Sequence, residues 1–286
     1  MTSPTPFVDR ALARRLEHAE ASAGVSFVEA RMALEPKLGA TWINGHGAFA
    51  MFDGAGSPVS QTFGLGLDGE VTADDLEALE AFFLSRQSDV NHEVCPLAGV
   101  SLFSLLSSRG YTPIELTSVM FRSIDGEALD PGGSPPVLRA AQNPTLTVRQ
   151  ISVDESEMFG ITAARGWSEL PEVRAFLEGF GRVMATRSAS PCFVAELDGH
   201  PIATGVLAMS NGVALLAGAA TVPEYRRQGA QLALLDARLR FAVSESCDLA
   251  MMCAAPGSAS QRNAERHGFR IAYTRIKWCK RFVGLP

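Results

Sequence analysis

The second half of the chain alternates between strand-like and helix-like patterns. Apolar runs bounded by turn residues predict strands, and apolar residues at every third or fourth position predict helices. The predicted strands are 146–151, 192–197, 202–209, 213–221 and 249–254, and the predicted helices are 154–164, 170–185, one from about 228, and 258–266. Because hairpin turns come first and a strand–helix–strand unit follows, the pattern predicts an α/β or α+β sheet.

A segment rich in proline and glycine divides the chain into two lobes. It includes the run Asp130-Pro131-Gly132-Gly133-Ser134-Pro135-Pro136. Clustered proline and glycine favour neither a helix nor a central strand. We therefore predict lobes at residues 1–126 and 146–286, with residues 127–145 as a linker.

The two lobes repeat the same landmarks in the same order. A strand-like run followed by an Asp-Gly turn occurs at 48–54 and again at 192–199. Cys95 stands fifteen residues before Gly110-Tyr111, and Cys253 stands fifteen residues before Gly268-Phe269. Strand-like runs follow both pairs, at 114–122 and 271–280. This recurrence favours duplication of one structural unit.

Composition narrows the classes of function. Hydrophobic residues make up 47% and charged residues 20% of the 286 positions, as in ordinary globular proteins. The net charge of −6 argues against sequence-independent binding to the phosphates of nucleic acid. No apolar run reaches the roughly 18 residues of a membrane span, and residues 1–20 lack the apolar segment of a secretory signal. We expect a cytoplasmic protein without nucleic acid or membrane partners.

The cysteines and histidines show no metal-ligand spacing. The five cysteines are odd in number and include no Cys-x-x-Cys pair, and the five histidines show no metal-ligand spacing beside them. We therefore predict buried thiols and no metal.

The stretch 221–231, Thr-Val-Pro-Glu-Tyr-Arg-Arg-Gln-Gly-Ala-Gln, carries the strongest chemical signal. It joins a predicted strand to a predicted amphipathic helix, and such a turn presents unpaired N–H groups to an anion. Gly229 allows close approach of the main chain, and Arg226 and Arg227 can bind phosphate oxygens. A hydrogen bond to a charged group contributes about 1.5–3 kcal/mol, so a few amides and an arginine can hold a pyrophosphate. The alternative is an exposed basic helix start.

These residues resemble the pyrophosphate loop of the GNAT superfamily of N-acetyltransferases, whose signature is Arg/Gln-x-x-Gly-x-Gly/Ala. Arg226-x-x-Gly229-x-Gln231 matches it except at the last position. Residues 260–269, Ser-Gln-Arg-Asn-Ala-Glu-Arg-His-Gly-Phe, resemble the family's later helix and its Gly-Phe ending. The resemblance covers about 147–282, and the first lobe is similar in layout alone. It implies two tandem acetyltransferase-like lobes, each a mixed, mostly antiparallel sheet flanked by helices, with a degenerate first lobe.

The resemblance also implies acetyl-CoA as co-substrate and direct attack by a primary amine of a small molecule or peptide. By position, the implied cofactor-binding residues are Ala220, Thr221, Val222, Arg226, Arg227, Gln228, Gly229, Ala230, Gln231, Ser260 and Asn263. The amides of 228–231 would hold the pyrophosphate, and the strand edge at 220–222 would pair with the pantetheine arm. Trp167 either lines the amine pocket or packs under a loop. Oligomeric state stays open, with a homodimer among the alternatives.

Two departures from the family concern catalysis. The family's acid is a tyrosine four residues before the glycine of Gly-Phe, and here Ala264 holds that position. Tyr273 on the next predicted strand is the candidate substitute, with a half-buried strand aromatic as the alternative, and Asn263 is the second candidate catalytic residue. No acidic residue interrupts 213–221, where relatives carry a base. A non-catalytic acyl-CoA-binding regulatory module is therefore the alternative to an enzyme.

A second glycine-rich turn lies in the first lobe. Residues 64–69 spell Gly-x-Gly-x-x-Gly, which leaves a nicotinamide-dependent oxidoreductase as a third hypothesis. Acidic residues nearby would repel a pyrophosphate; they are Asp68, Glu70, Asp74 and Asp75. Thr72 and Asp75 also have the spacing of a capping box, so we predict a non-binding turn.

Overall fold

The computed structural model describes residues 6–124, 145–167, 174–187 and 190–283. The predicted linker 127–145 lies outside these ranges apart from its last residue. The described helices are α1 (Arg10–Leu34), α2 (Ala73–Leu84), α3 (Val100–Ser108), α4 (Ser156–Gly166), α5 (Arg174–Ala185), α6 (Ala230–Ser244) and α7 (Ala259–Arg266). The strands are β1 (Thr41–Gly45), β2 (Ala48–Phe52), β3 (Gln61–Phe63), β4 (Val90–Val94), β5 (Thr112–Ser123), β6 (Leu146–Gln150), β7 (Cys192–Leu197), β8 (His200–Ser210), β9 (Val213–Thr221), β10 (Leu249–Ala254) and β11 (Arg270–Lys280).

Two compact units make up the described chain. The first unit comprises residues 6–121 and the segment from 253 onward, and the second unit comprises residues 122–252. This division differs from the predicted lobes, because α7 and β11 belong to the first unit. The physical reason is backbone pairing, since β11 forms antiparallel ladders with β4 on one side and β5 on the other.

The first unit is built on strands in the spatial order β1-β2-β3-β4-β11-β5. Neighbouring strands are antiparallel except β3 and β4, which are parallel. Apolar side chains of α2 and α3 pack with those of the sheet in one buried cluster that includes Leu79, Leu102 and Trp278. Trp278 and Cys279 are both buried, which confirms their prediction as core residues.

The second unit places its strands in the order β10-β9-β8-β7-β6. Strands β6 to β9 form an antiparallel meander, and β10 pairs with β9 in parallel. The backbones of helices α4 and α5 are in close contact at Gly160 and Gly181. A Cβ on Gly181 would lie only 2.4 Å from the Cα of Gly160. The predicted hairpins and strand–helix–strand unit are confirmed, and β9 and β10 have the predicted bounds.

The five cysteines are free thiols, and Cys253 alone among them is half-buried rather than buried. Across the described residues, no helix has the length and apolar character needed to cross a membrane. The same residues contain no group of three His, Cys, Asp or Glu side chains arranged to hold a metal ion.

Candidate functional site

The connection from β9 to α6 forms a corner with unusual backbone geometry. A short helical turn at Pro223–Tyr225 leaves the strand, and Arg227 and Gly229 then adopt left-handed conformations with φ of 65° and 88°. Glycine adopts this conformation without steric cost, whereas a residue with a Cβ, such as Arg227, is held there at a cost of about 1–3 kcal/mol. Strain of this kind is typical of a ligand-binding turn.

The main-chain N–H groups of Gln228 to Gln231 donate to no acceptor within the described residues. Gly229 is the N-cap of α6 and has no side chain to satisfy them. The next two N–H groups, those of Leu232 and Ala233, both donate to the Gly229 carbonyl at 3.0 Å. Unpaired N–H groups at the positive end of a helix attract an anion. The corner is therefore open in the way that the pyrophosphate prediction requires.

Side chains around the corner form no hydrogen bond with these amides among the described residues. Arg227 and Gln228 are exposed, and Arg226 Nη2 donates to the Gly166 carbonyl at 3.3 Å. Gln231, the departure from the family signature, donates from Nε2 to Thr221 Oγ1 at 2.6 Å. Its side chain is thus held by the end of β9 and makes no hydrogen bond with the loop amides.

Strand β9 separates from β10 before reaching this corner. The parallel pairing includes only Val213, Ala214 and Leu215 of β9. Beyond that point β9 pairs with β8, and the pairing is interrupted by a bulge at Gly218 and Ala219, which are exposed. A bulge bends a strand and leaves main-chain groups of the extra residue unpaired. The result is a strand edge that an extended polar ligand can pair with.

The end of β9 is more occupied than the sequence predicts. The N–H of Val222 donates to the Ile202 carbonyl at 2.9 Å, and the carbonyl of Val222 accepts from Tyr225 at 2.9 Å. Both main-chain groups of Val222 are therefore engaged, and the edge available to a ligand ends at Thr221.

Helix α4 ends against the same strand. A Cβ on Gly166 would lie 2.5 Å from the Cβ of Ala220, so only glycine allows this approach. Trp167 follows directly and is 49% exposed. Its place next to the strand end is consistent with a ligand-facing aromatic, and its role in an amine pocket stays a prediction.

The remaining predicted site residues lie in the first unit. Ser260 on α7 is exposed and Asn263 is half-buried. Tyr273 on β11 is buried, and its hydroxyl donates to Glu17 Oε1 at 2.8 Å. The structure therefore does not place these three residues and the β9–α6 corner in one compact unit.

Tyr273 is part of a buried charge cluster. Arg275 Nη1 lies 3.2 Å from Glu17 and 2.8 Å from Glu20, and Arg275 Nε lies 3.1 Å from Glu93. Burial raises the pKa of Glu17 to about 7, against the opposing effect of Arg275. Burial and the Glu17 carboxylate raise the pKa of the Tyr273 hydroxyl well above its usual value. A phenol held in this way is a poor proton donor, which favours the structural interpretation of Tyr273.

The glycine-rich turn of the first unit, residues 64–69, makes several hydrogen bonds with other parts of the protein. Thr72 and Asp75 form a complete capping box at the start of α2, which confirms that prediction. Arg10 and Arg14 of α1 donate to carbonyls within residues 64–69, and Leu65 is buried. Carbonyls of the turn are therefore bonded within the protein and its leucine side chains are buried, which favours a non-binding turn.

Sequence reasoning missed two features of the second unit: the bulge at Gly218 and the buried Arg238 of α6. Isolated glycines inside a strand pattern indicate a bulge, and Gly205 and Gly218 supply that signal on β8 and β9. No sequence pattern indicates the burial of Arg238, because its position on α6 is also compatible with an exposed helix face.

Comparison with known proteins gives this corner a family context. Residues 153–269, which include β7 to β10 with α6 and α7, match the acetyltransferase (GNAT) family. The match covers less than half of the chain, and it identifies this part as similar to GNAT acetyltransferases. The match contains the β9–α6 corner, and the predicted resemblance is confirmed.

Solved structures support the same fold. A GCN5-related N-acetyltransferase from Kribbella flavida aligns with a TM-score of 0.65 at 16% identity, covering 94% of this chain and 95% of the other. A tandem GNAT protein from the clavulanic acid biosynthesis pathway aligns with a TM-score of 0.59 at 13% identity, covering 99% and 98%. A GCN5-related N-acetyltransferase from Sphaerobacter thermophilus aligns at 0.53 and 16%, covering 86% and 76%.

These similarities concern the fold, since all three identities are low. The tandem neighbour confirms the predicted two-lobed GNAT architecture. No curated protein sequence matches the chain significantly. The GNAT fold is that of acetyltransferases, and it supports acyl transfer as the general class of reaction.

Proposed function

We propose that this protein transfers an acetyl group from acetyl-CoA to a primary amine of a small molecule or peptide, with both substrates bound at once. The observation that carries the proposal is the row of four N–H groups, Gln228 to Gln231, that have no acceptor in the part of the chain that the structure describes. Two of these amides belong to the first turn of α6 and a third to its N-cap, so binding a diphosphate there costs little ordering entropy. The match of residues 153–269 to the GNAT family supports this choice of anion.

The residues present fit acetyl-CoA. The amides of 228–231 suit its pyrophosphate, and the exposed Arg227 adds positive charge beside them. The β9 edge from Leu216 to Thr221, which has no β10 partner, suits the amide groups of the pantetheine arm. When bound, acetyl-CoA supplies a thioester whose carbonyl an amine can attack. The contribution of this chain is then to fix that group at a strand edge.

Proton transfer must use groups outside β9. The strand sequence Val-Ala-Leu-Leu-Ala-Gly-Ala-Ala-Thr contains no group that titrates near neutral pH. Ala264 replaces the family tyrosine, and the Tyr273 proton is already donated to Glu17. Positioning of two substrates alone provides a large part of a rate enhancement, so we expect water to accept the amine proton.

Isothermal titration with acetyl-CoA tests the binding step. Arg227→Glu combined with Gly229→Asp places two carboxylates at the anion site, and we expect affinity to fall by about 100-fold or more. A matched control, Lys37→Glu with Gly69→Asp, changes the net charge equally at exposed positions of the first unit. The control is expected to bind as the wild type does. Unchanged binding by the Arg227 and Gly229 variant would remove the proposed site.

Thiol release tests the chemical step. Wild-type protein with acetyl-CoA and a panel of primary amines, from polyamines to peptide N-termini, is expected to release coenzyme A at a rate that depends on one class of amine. The release should disappear in the Arg227 and Gly229 variant. Binding of acetyl-CoA without release by any amine would contradict the enzymatic part of the proposal and indicate a regulatory acyl-CoA-binding module.

A further inference from the structure

Arg238 on α6 is a buried charge without a carboxylate partner among the described residues. Its side chain is 3% exposed. Nε donates to the Leu234 carbonyl at 3.0 Å, and Nη1 donates to the carbonyls of Val206 at 3.1 Å and Ala217 at 3.3 Å. Burial lowers its pKa to about 10, so the guanidinium keeps its charge at neutral pH. Because burying an uncompensated charge is costly, stability alone does not account for this residue.

The guanidinium occupies space that a glycine provides. A Cβ on Gly205 of β8 would lie 2.9 Å from the Arg238 Cζ, so any other residue at position 205 would displace the group. Val206 and Ala217, whose carbonyls accept from Arg238, are paired across β8 and β9. Gly218, with φ of 58°, follows Ala217 directly and begins the bulge. Arg238 therefore ties the two strands together at the point where β9 changes direction.

Helix α6 carries both parts of the candidate site. Its first residues supply the free amides, and Arg238 lies a little over two turns further along, at a distance of about 12 Å along the axis. A rigid helix that contacts the bulge through Arg238 fixes the distance between the anion site and the strand edge. A ligand with a diphosphate at one end and amide groups along its arm needs that distance to be constant.

We propose that Arg238 is a positioning residue that fixes the β9 bulge relative to the amide groups at the start of α6, and so sets the strand edge for the pantetheine arm. The inference rests on the proposed function of the same site. It assigns Arg238 no contact with the reacting atoms, and its effect passes through the carbonyls of Val206 and Ala217.

The test compares two ligands that differ in the pantetheine arm. Acetyl-CoA uses both the anion site and the strand edge, whereas 3′-phosphoadenosine 5′-diphosphate has the diphosphate and lacks the arm. In Arg238→Met we expect acetyl-CoA affinity to fall about 10- to 100-fold, as when one or two hydrogen bonds are lost. Affinity for the nucleotide should change less than about threefold, because the loop amides are untouched. Arg238→Lys keeps the charge with fewer donors and should recover part of the acetyl-CoA affinity.

Arg240→Met is the matched control. Arg240 lies on the same helix, is about half exposed, and pairs with Asp236 at 2.9 Å, so its loss should leave both affinities as in the wild type. If Arg238→Met does not fold, Gly205→Ala displaces the guanidinium from the strand side and should give the same selective loss.

The outcomes separate the two proposals. Selective loss of acetyl-CoA affinity supports the positioning role. An equal loss for both ligands indicates a merely structural arginine and overturns it, as does wild-type affinity of the Arg238→Met variant for both. Wild-type protein that binds neither ligand would instead overturn the proposed function, and the positioning role with it.

Discussion

Each unit contains a turn in which a strand passes into a helix through glycines, and the two turns satisfy their main-chain groups in opposite ways. At the start of α2, Asp75 N donates to Thr72 Oγ1 at 3.2 Å, and Thr72 N donates to Asp75 Oδ2 at 3.0 Å. At the start of α6, the amides of 228–231 have no acceptor within the described chain. Side chains of the protein cap the start of α2, whereas the start of α6 has no side-chain cap.

The difference lies in side chains rather than in topology. The first turn buries Leu65 and Leu67 and receives two arginines from α1 on its carbonyls. The second turn exposes Arg227 and Gln228. A side-chain cap stabilises a helix by about 1 kcal/mol relative to alanine, and the glycine N-cap of α6 supplies no side-chain acceptor to the amides. Under the proposed function, one strand–turn–helix unit serves stability in the first unit and ligand binding in the second.

The largest expected difference between the two turns is in how much one side chain of each contributes to the free energy of unfolding. Leu65→Ala removes a residue that is 1% exposed and packed in the core of the first unit, so we expect a loss of about 2–5 kcal/mol in the free energy of unfolding. Gln228→Ala, at an exposed position of the other turn, should change it by less than about 0.5 kcal/mol. Urea denaturation followed by circular dichroism measures both.

Equal effects of the two substitutions would contradict the distinction between a filled and an open turn. If the two units unfold at different urea concentrations, their unfolding transitions must be analysed separately. A single free energy of unfolding is defined only for a two-state transition. Gln228→Ala also has a second use, since it should retain acetyl-CoA binding through the main chain.

Local features of this fold are readable from sequence because they depend on neighbouring residues. The bounds of β9 and β10 follow from apolar runs between turn residues, and the Thr72–Asp75 capping box follows from spacing alone. The open start of α6 follows from Gly229 at the N-cap. These features depend on interactions between residues within about four positions of one another, and such interactions leave a recognisable sequence pattern.

Contacts between distant segments could not be predicted in this way. The hydrogen bond from Tyr273 to Glu17 joins residues 256 positions apart, and the insertion of β11 between β4 and β5 assigns the end of the chain to the first unit. The Arg238 contacts depend on space left by Gly205 in another element. No local pattern encodes such pairings, so the sequence alone does not reveal that the Tyr273 hydroxyl is bonded to Glu17.

The second contrast concerns how α1 is anchored over the closed turn. Glu17 of α1 is fully buried with Tyr273 and Arg275, and burial raises its pKa from 4.5 to about 7. The folded state therefore holds this proton more tightly than the unfolded chain does. Its stabilising contribution is complete below about pH 4.5 and is lost as the pH rises through 7. One pKa unit corresponds to about 1.4 kcal/mol, so the loss is at most about 3.5 kcal/mol.

Glu17→Gln keeps an oxygen acceptor for Tyr273 and removes the titration. The free energy of unfolding of the first unit, measured between pH 5 and 8, is expected to fall with rising pH in the wild type and to fall less in the variant. Glu29→Gln, at an exposed position of α1, is the control and should follow the wild type. Parallel pH profiles for wild type and Glu17→Gln would show that Glu17 does not titrate in this range.

The smallest expected effect on stability comes from removing the helix cap at Thr72 while the rest of the first turn stays intact. Thr72→Ala frees the N–H of Asp75 and removes a capping hydroxyl, so we expect a loss of about 0.5–2 kcal/mol, with Thr72→Ser close to wild type. The freed amide should not create acetyl-CoA binding, because Leu65 still fills the turn and the acidic residues around it repel a diphosphate. Thermal denaturation and titration calorimetry test the two parts. If Thr72→Ala gained acetyl-CoA binding, the cap alone would separate the turns, and the buried leucines and the charges would have no part in the difference.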